Sequence, residues 1–297
     1  MDDKWRILVV GASESNRRRP LSLGAEVNQS WAKRVEQRND VCGYWPTFFM
    51  HALDARNCGS EPPDKDALRD FGTGRYLYDR SLIYEWDSAL LWNVAMPANV
   101  ARFGLYYLSV HRELFRVFSP DIIVLCLGSV DCLEFGGSRA SEDILELGQV
   151  EGLVPGESLQ FDYCSTAEEF YDVMHEVAET ITWINQDAIV VHLDAVVSPR
   201  ASRRIIERIR SFNEAARCIS REFSFKHVSH PLLEKSAGDA LYHWLRRDDN
   251  HPTDAMNAEL AKNILRHVPL GRPARFASRE TPVPVLRVSD WTKERRI

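Results

Sequence analysis

Arg6-Ile7-Leu8-Val9-Val10, followed by Gly11-Ala12-Ser13-Glu14-Ser15, is the stretch whose reading decides the fold. A short apolar run rich in β-branched residues, closed by glycine and small polar residues, predicts a buried parallel strand. Open α/β sheets place their chemistry at the carboxyl ends of such strands, and Ser13 stands there. The same position suits a serine that caps the next helix. Taken alone, Gly11-Ala12-Ser13 reads more simply as that cap.

Outward from this strand the pattern alternates. Helical spacing recurs around Trp31–Val35 and over Trp45–Leu53. Strand Ala89–Val94 is followed by a helix carrying Val100, Phe103, Tyr107, Leu114 and Phe118 on one face. Ser119-Pro120 stops that helix, because proline cannot continue its hydrogen-bond ladder. Asp121 then opens the strongest apolar run of the chain, Ile122–Leu127, which ends in Gly128-Ser129-Val130-Asp131. A helix with Phe170, Val173, Met174, Val177, Ile181 and Ile184 leads to strand Ala188–Leu193. A helix over Ile205–Phe223, the short strand Phe225–Val228 and a last helix, Asp254–Arg266, complete the series. Such alternation predicts a parallel sheet covered on both faces, joined by right-handed crossovers.

No shift of composition marks a second domain, so residues 1–271 read as one α/β domain with insertions near 56–87 and 134–166. The first insertion contains a Gly/Pro/Asp-rich segment, Asn57–Asp70, and an aromatic stretch, Tyr76–Trp86, without a clean period, which reads as a loop wall. The second is long and irregular, as functional lids and binding loops are. No Lys or Arg occurs between Arg139 and Arg200, which predicts an acidic face. Residues 272–297 lack any period and read as an extended tail.

With 297 residues, 44% hydrophobic and 27% charged, the chain has the composition of an ordinary globular protein. A formal charge of -6 gives no basic footprint for nucleic acid. No apolar run approaches the ~20 residues that span a bilayer, and the start lacks the pattern of a secretory signal. Cys42, Cys58, Cys126, Cys132, Cys164 and Cys218 form no zinc-ligand spacing. Free thiols in a cytoplasmic protein, no metal and no cofactor are therefore the expectation. Neither phosphate-cradling glycine motif is present, which argues against a nucleotide-binding protein.

Arg17-Arg18-Arg19 suits either an anionic substrate group or a solvated loop. The arginines at 203, 204, 208, 210 and 217 make the Ile205–Phe223 helix basic and amphipathic. Such a helix can lie on a membrane, but in this alternating context it reads as a sheet cover with a solvated outer face.

Four loops at strand ends hold chemistry-bearing residues: Gly11–Ser13, Met96–Asn99, Gly128–Asp131 and Asp248-Asp249-Asn250-His251-Pro252. A serine hydroxyl needs a base within hydrogen-bond reach. A histidine supplies one near neutral pH when a carboxylate fixes its tautomer. Asp248 and His251 are three apart, which lets a single turn bring them together.

On these residues the chain resembles the SGNH/GDSL hydrolases. The family's Gly-Asp-Ser block matches Gly11-Ala12-Ser13, with Ala12 in place of Asp, and its Asp-x-x-His-Pro block matches Asp248–Pro252. Its Asn-x-x-x-x-Gly loop fits Asn93–Ala98, with Ala98 in place of Gly. The stretch from Phe212-Asn213-Glu214-Ala215-Ala216 through Val228 looks like its penultimate segment. The third block, Gly-x-Asn-Asp, departs: Val130 stands where an Asn side chain would donate to the oxyanion.

The resemblance spans residues 5–268 and implies a flavodoxin-like three-layer α/β/α sandwich around a central parallel five-stranded sheet. It implies a serine esterase on a small-molecule or saccharide acyl ester, with Ser13 as nucleophile, His251 as base and Asp248 orienting it. The N–H groups of Ser13 and Ala98 would form the oxyanion hole, with Asn99 or Ser129 as replacement side-chain donor. Asn99, Ser129, Val130 and Asp131 would line the substrate. Valine cannot donate, and one missing oxyanion donor typically costs about 10²–10³ in rate. An acyltransferase using the same triad on an alcohol or amine, and a non-catalytic binding protein of the same fold, stay open beside the esterase.

Overall fold

The computed structural model describes residues 4–12, 45–58, 75–77, 81–85, 88–95, 99–133, 161–195, 201–229 and 254–270. The helix expected around Trp31–Val35, the arginines at 17–19, most of both insertions and the tail lie outside the described residues.

In chain order the strands are β1 (Trp5–Gly11), β2 (Arg75–Leu77), β3 (Ser81–Glu85), β4 (Ala89–Asn93), β5 (Ile122–Cys126), β6 (Ile189–Leu193) and β7 (Lys226–Val228). The helices are α1 (Trp45–Cys58), α2 (Ala101–Val110), α3 (Arg112–Phe118), α4 (Ser129–Cys132), α5 (Ala167–Ile184), α6 (Arg203–Glu222) and α7 (Asp254–Leu265). The single helix expected over Val100–Phe118 is two, α2 and α3, divided at His111.

The strands form one sheet in the order β2-β3-β4-β1-β5-β6-β7. Five of them, β4-β1-β5-β6-β7, are mutually parallel. Numbered among themselves in chain order they read 2-1-3-4-5, the flavodoxin-like arrangement. The expected five-stranded parallel sheet is thus present, extended at one edge by an antiparallel hairpin. There β2 pairs with β3, and β3 with β4. The hairpin falls in the aromatic stretch that read as a loop wall. Its Tyr and Ile residues suit a pleated surface, but β2 has only three residues and shows no period.

Side chains alternate across β1 and separate the core into two halves. Leu8, Val10 and Ala12 enter one apolar cluster with Phe103 and Tyr107 of α2, Phe115 of α3, Val177 of α5 and Phe212 of α6. Trp5, Ile7 and Val9 enter the other, with Trp45 and Phe49 of α1 and Leu260 and Ile264 of α7. The result is three layers, α/β/α. Trp92 on β4 locks α3 down through edge contacts with Phe115 and Phe118, at centroid distances of 5.0 and 5.3 Å. The apolar face of α6 covers the sheet, as its spacing predicted. No helix among the described residues is long and apolar enough to cross a membrane.

The turn out of β5 admits only glycine without strain. Gly128 has φ +102°, and a Cβ there would lie 2.9 Å from Cζ of Phe170. Phe170 cannot yield easily, because it stacks on Phe212 at 4.8 Å. We expect Gly128→Ala to lower the unfolding free energy by about 1–3 kcal/mol. A urea titration measures this, and an unchanged midpoint would contradict the geometry.

One polar group stands out in the core. His192, in the middle of the parallel sheet, is fully buried, and neither ring nitrogen has a hydrogen-bond partner among the described residues. Its titrating neighbours are His227, directly across on β7, and Asp194. Burial, with help from His227, pulls its pKa from 6.5 down to about 3, against the opposing pull of Asp194. The unfolded chain therefore binds a proton at His192 that the folded chain refuses between these values. Stability is full above pH 6.5 and falls as the pH drops toward 3. Between pH 7.5 and 5.0 this group should account for a loss of about 2 kcal/mol. Denaturant titrations of His192→Leu should show a pH dependence smaller by that amount; an identical dependence would refute the assignment.

Candidate active site

In a 2-1-3-4-5 sheet the strand order reverses at β1, and a crevice opens beyond the carboxyl ends of β1 and β5. The chain sends three of its four chemistry-bearing loops toward this edge. Gly11 lies level with Cys126, so β1 and β5 end together, and Asn93, the last residue of β4, lies level with Val9, two residues short of them. The Ala12 N–H donates to the Cys126 carbonyl at 3.2 Å, which carries the ladder to the residue before Ser13. At the end of β4 the Asn93 side chain accepts from Ala95 N–H at 3.0 Å and turns the chain.

The expected site residues within the described parts gather here. Asn99 is buried, and its amide donates to the Gly11 carbonyl at 2.9 Å, strapping the turn that precedes Ser13. Its Oδ1 has no hydrogen-bond partner among the described residues. Asp131 is fully buried and accepts from two backbone donors, Ala101 N–H at 3.0 Å and Cys164 N–H at 2.9 Å. Burial raises its pKa, and these two bonds work against that rise. Ser129 and Val130 are buried beside it in the short helix α4. Ser13, Ala98, Asp248 and His251 lie outside the described residues. Ser13 directly follows Ala12, Ala98 directly precedes Asn99, and His251 lies three residues ahead of α7.

Two of the three departures from the family blocks, Ala12 and Val130, have a packing reason. Ala12 and Val130 both belong to the apolar cluster under α2, α5 and α6. A carboxylate at position 12 would enter that cluster, and burying a charge there without a partner is costly.

Sequence reading missed two arginines on α6. Arg208 counted as part of a solvated face, yet it donates to the carbonyls of Cys164, Ser165 and Asp131. Arg217 likewise pairs with the buried carboxylate of Asp194 at 3.3 Å. Asn213, between them, accepts from Ala195 N–H at 2.8 Å and holds the end of β6. Helical periodicity identifies the buried face but not which long side chains at its border fold back, so only Asn213, in the segment resembling the family, carried any signal.

A carboxylate–imidazole pair among the described residues lies at the same edge: His227 Nε2 is 2.8 Å from Asp194 Oδ1. It is remote from the end of β1. His227 stands level with Val10 through Leu125 and His192, three strands from β1. At the usual spacing that is about 14 Å. Burial and the Asp131 carboxylate push the Cys164 thiol up to about 12, and the same causes raise Cys132, which favours the protonated thiol at both. Among the described residues no three His, Cys, Asp or Glu side chains are grouped as a metal ion requires.

No protein-family model matches the sequence, and no curated protein matches it. Solved structures do. A protein designated a GDSL-like lipase from Parabacteroides merdae superposes with a TM-score of 0.54 at 13% identity, over 90% of this chain and 96% of that one. An acetylxylan esterase from Geobacillus stearothermophilus gives 0.52 at 12% identity, over 92% and 99%. An α/β hydrolase from the metagenome of Lake Arreo, Spain, gives 0.51 at 13% identity, over 90% and 96%. At these identities the likeness is one of fold. The chain has the fold of the SGNH/GDSL hydrolases.

Proposed function

We propose that the protein is a serine acyl-ester hydrolase of the SGNH type. The observation that carries this reading is the strapped turn at the switch point of the sheet. Asn99, next in the chain to Ala98, binds Gly11, two residues before Ser13, and Asp131 binds the start of α2. Relatives in fold support the chemistry: they include GDSL-like lipases and acetylxylan esterases. One such esterase is described with its catalytic serine replaced by alanine.

In this mechanism Ser13 Oγ attacks the ester carbonyl while His251 takes its proton. Asp248 holds the imidazole and stabilises its charged form. The N–H groups of Ser13 and Ala98 receive the oxyanion. Collapse expels the alcohol, which leaves with the proton from His251, and the acyl group stays on Ser13. Water then attacks the acyl-enzyme, with His251 again as base, and releases the acid. Val130 offers no third donor. The Asn99 amide has two N–H groups, of which Gly11 takes one, so Asn99 is our candidate for that role. Small acyl esters of saccharides or other alcohols are the substrate class proposed.

Turnover of short p-nitrophenyl esters should fall to background in Ser13→Ala and His251→Ala. In Asn99→Ala it should fall by about 10²-fold, the cost of an oxyanion donor. Wild-type turnover that survives Ser13→Ala would refute the mechanism. Product formed on an added alcohol or amine at the expense of hydrolysis would reassign the same triad to acyl transfer. Wild type with no turnover would favour the binding-protein reading.

A further inference from the structure

Arg208 belongs to none of the blocks that point to the chemistry, yet its contacts converge on the site. Its guanidinium donates to the carbonyls of Cys164 at 2.5 Å, Ser165 at 2.6 Å and Asp131 at 3.2 Å. It lies over the ring of Phe212, 4.9 Å from its centroid, and 5.7 Å from that of Tyr163. These carbonyls belong to segments more than thirty residues apart: the turn after β5 and the stretch that enters α5. A guanidinium carries five donors in a rigid fork and can hold several carbonyls in a fixed relation. An ammonium is a single point on a flexible stem.

The residue Arg208 grasps by its backbone extends the network with its side chain. Asp131 binds Ala101 N–H and Cys164 N–H. Two residues before Ala101, Asn99 binds the Gly11 carbonyl. One path of contacts thus runs from α6, through the Gly128–Asp131 turn and the start of α2, to the residue two before Ser13. Asp131 and Asn99 are buried, and buried hydrogen bonds of this kind fix geometry strongly.

We infer that Arg208 is a positioning residue for acyl transfer: it sets the Gly128–Asp131 turn and, through Asp131 and Asn99, the loop that carries Ser13. The inference rests on the serine-hydrolase reading. Arg208 touches no reacting atom. A misplacement of about 1 Å caused from a distance can cost about 10²-fold in rate. Such a loss falls on kcat, because the groups displaced are those that meet the transition state rather than those that bind the ground state.

The test compares wild type, Arg208→Lys and Arg208→Met as full chains, by steady-state kinetics on p-nitrophenyl acetate and by thermal melting. We expect kcat to fall about 10²-fold in Arg208→Met and about tenfold in Arg208→Lys. KM should stay within about twofold of wild type, and melting should stay cooperative. If Arg208→Met does not fold, Arg208→Lys decides. Wild-type kcat in the folded variants, or a change confined to KM or to melting temperature, overturns the inference and leaves the hydrolase reading standing. Wild type without Ser13-dependent turnover overturns that reading and the inference with it.

Discussion

A fully buried carboxyl group must find its donors within the chain, and among the described residues Asp131 takes backbone N–H groups from two distant segments. One belongs to the start of α2, thirty residues earlier; the other belongs to the stretch entering α5, thirty-three later. Burial raises the pKa of Asp131 while those donors resist the rise. Removing either leaves a buried charge short of a partner, which is among the costlier faults a core can carry. The turn after β5, the loop after β4 and the segment leading into α5 therefore hold one another in place. The sheet supplies the edge at which they meet, and Gly128 supplies the backbone conformation that brings Asp131 inward.

On the proposed reading, catalysis depends on holding donors still where charge develops. Much of the polar side-chain chemistry at this edge is spent on backbone groups. Asn93 turns the chain after β4, Asn99 straps Gly11, and Asn213 holds Ala195. Each is a side chain closing a backbone valence that the end of a strand leaves open. Ala12 and Val130 fill the apolar layer immediately beneath. On the proposed reading the site works with fewer oxyanion donors than the family blocks provide, and its precision comes from this bracing.

Much of this was legible in the residues. The continuous apolar run Ile122–Leu127 and the clean stripes of α5 and α6 reflect burial on fixed periods, which sequence displays directly. The parallel sheet followed from alternation, and the flavodoxin-like sandwich from the family blocks. The β2–β3 hairpin was not legible, because β2 has only three residues and pairs with β3, which itself gains its place by pairing with the β4 edge. Asp131 was visible as a residue of interest, but its partners at 101 and 164 are set by tertiary contact alone. Arg208 and Arg217 were hidden among five similar arginines. Only the folded chain distinguishes the two that turn inward.

The central claim is that Ser13, at the end of the first strand, is an activated nucleophile. Its most direct test is reaction of the native protein with a fluorophosphonate probe, followed by mass mapping of the labelled peptide. The account predicts a single adduct on Ser13, formed by the native protein and lost when it is unfolded beforehand. Labelling of another residue, or no labelling of the native protein, would contradict it.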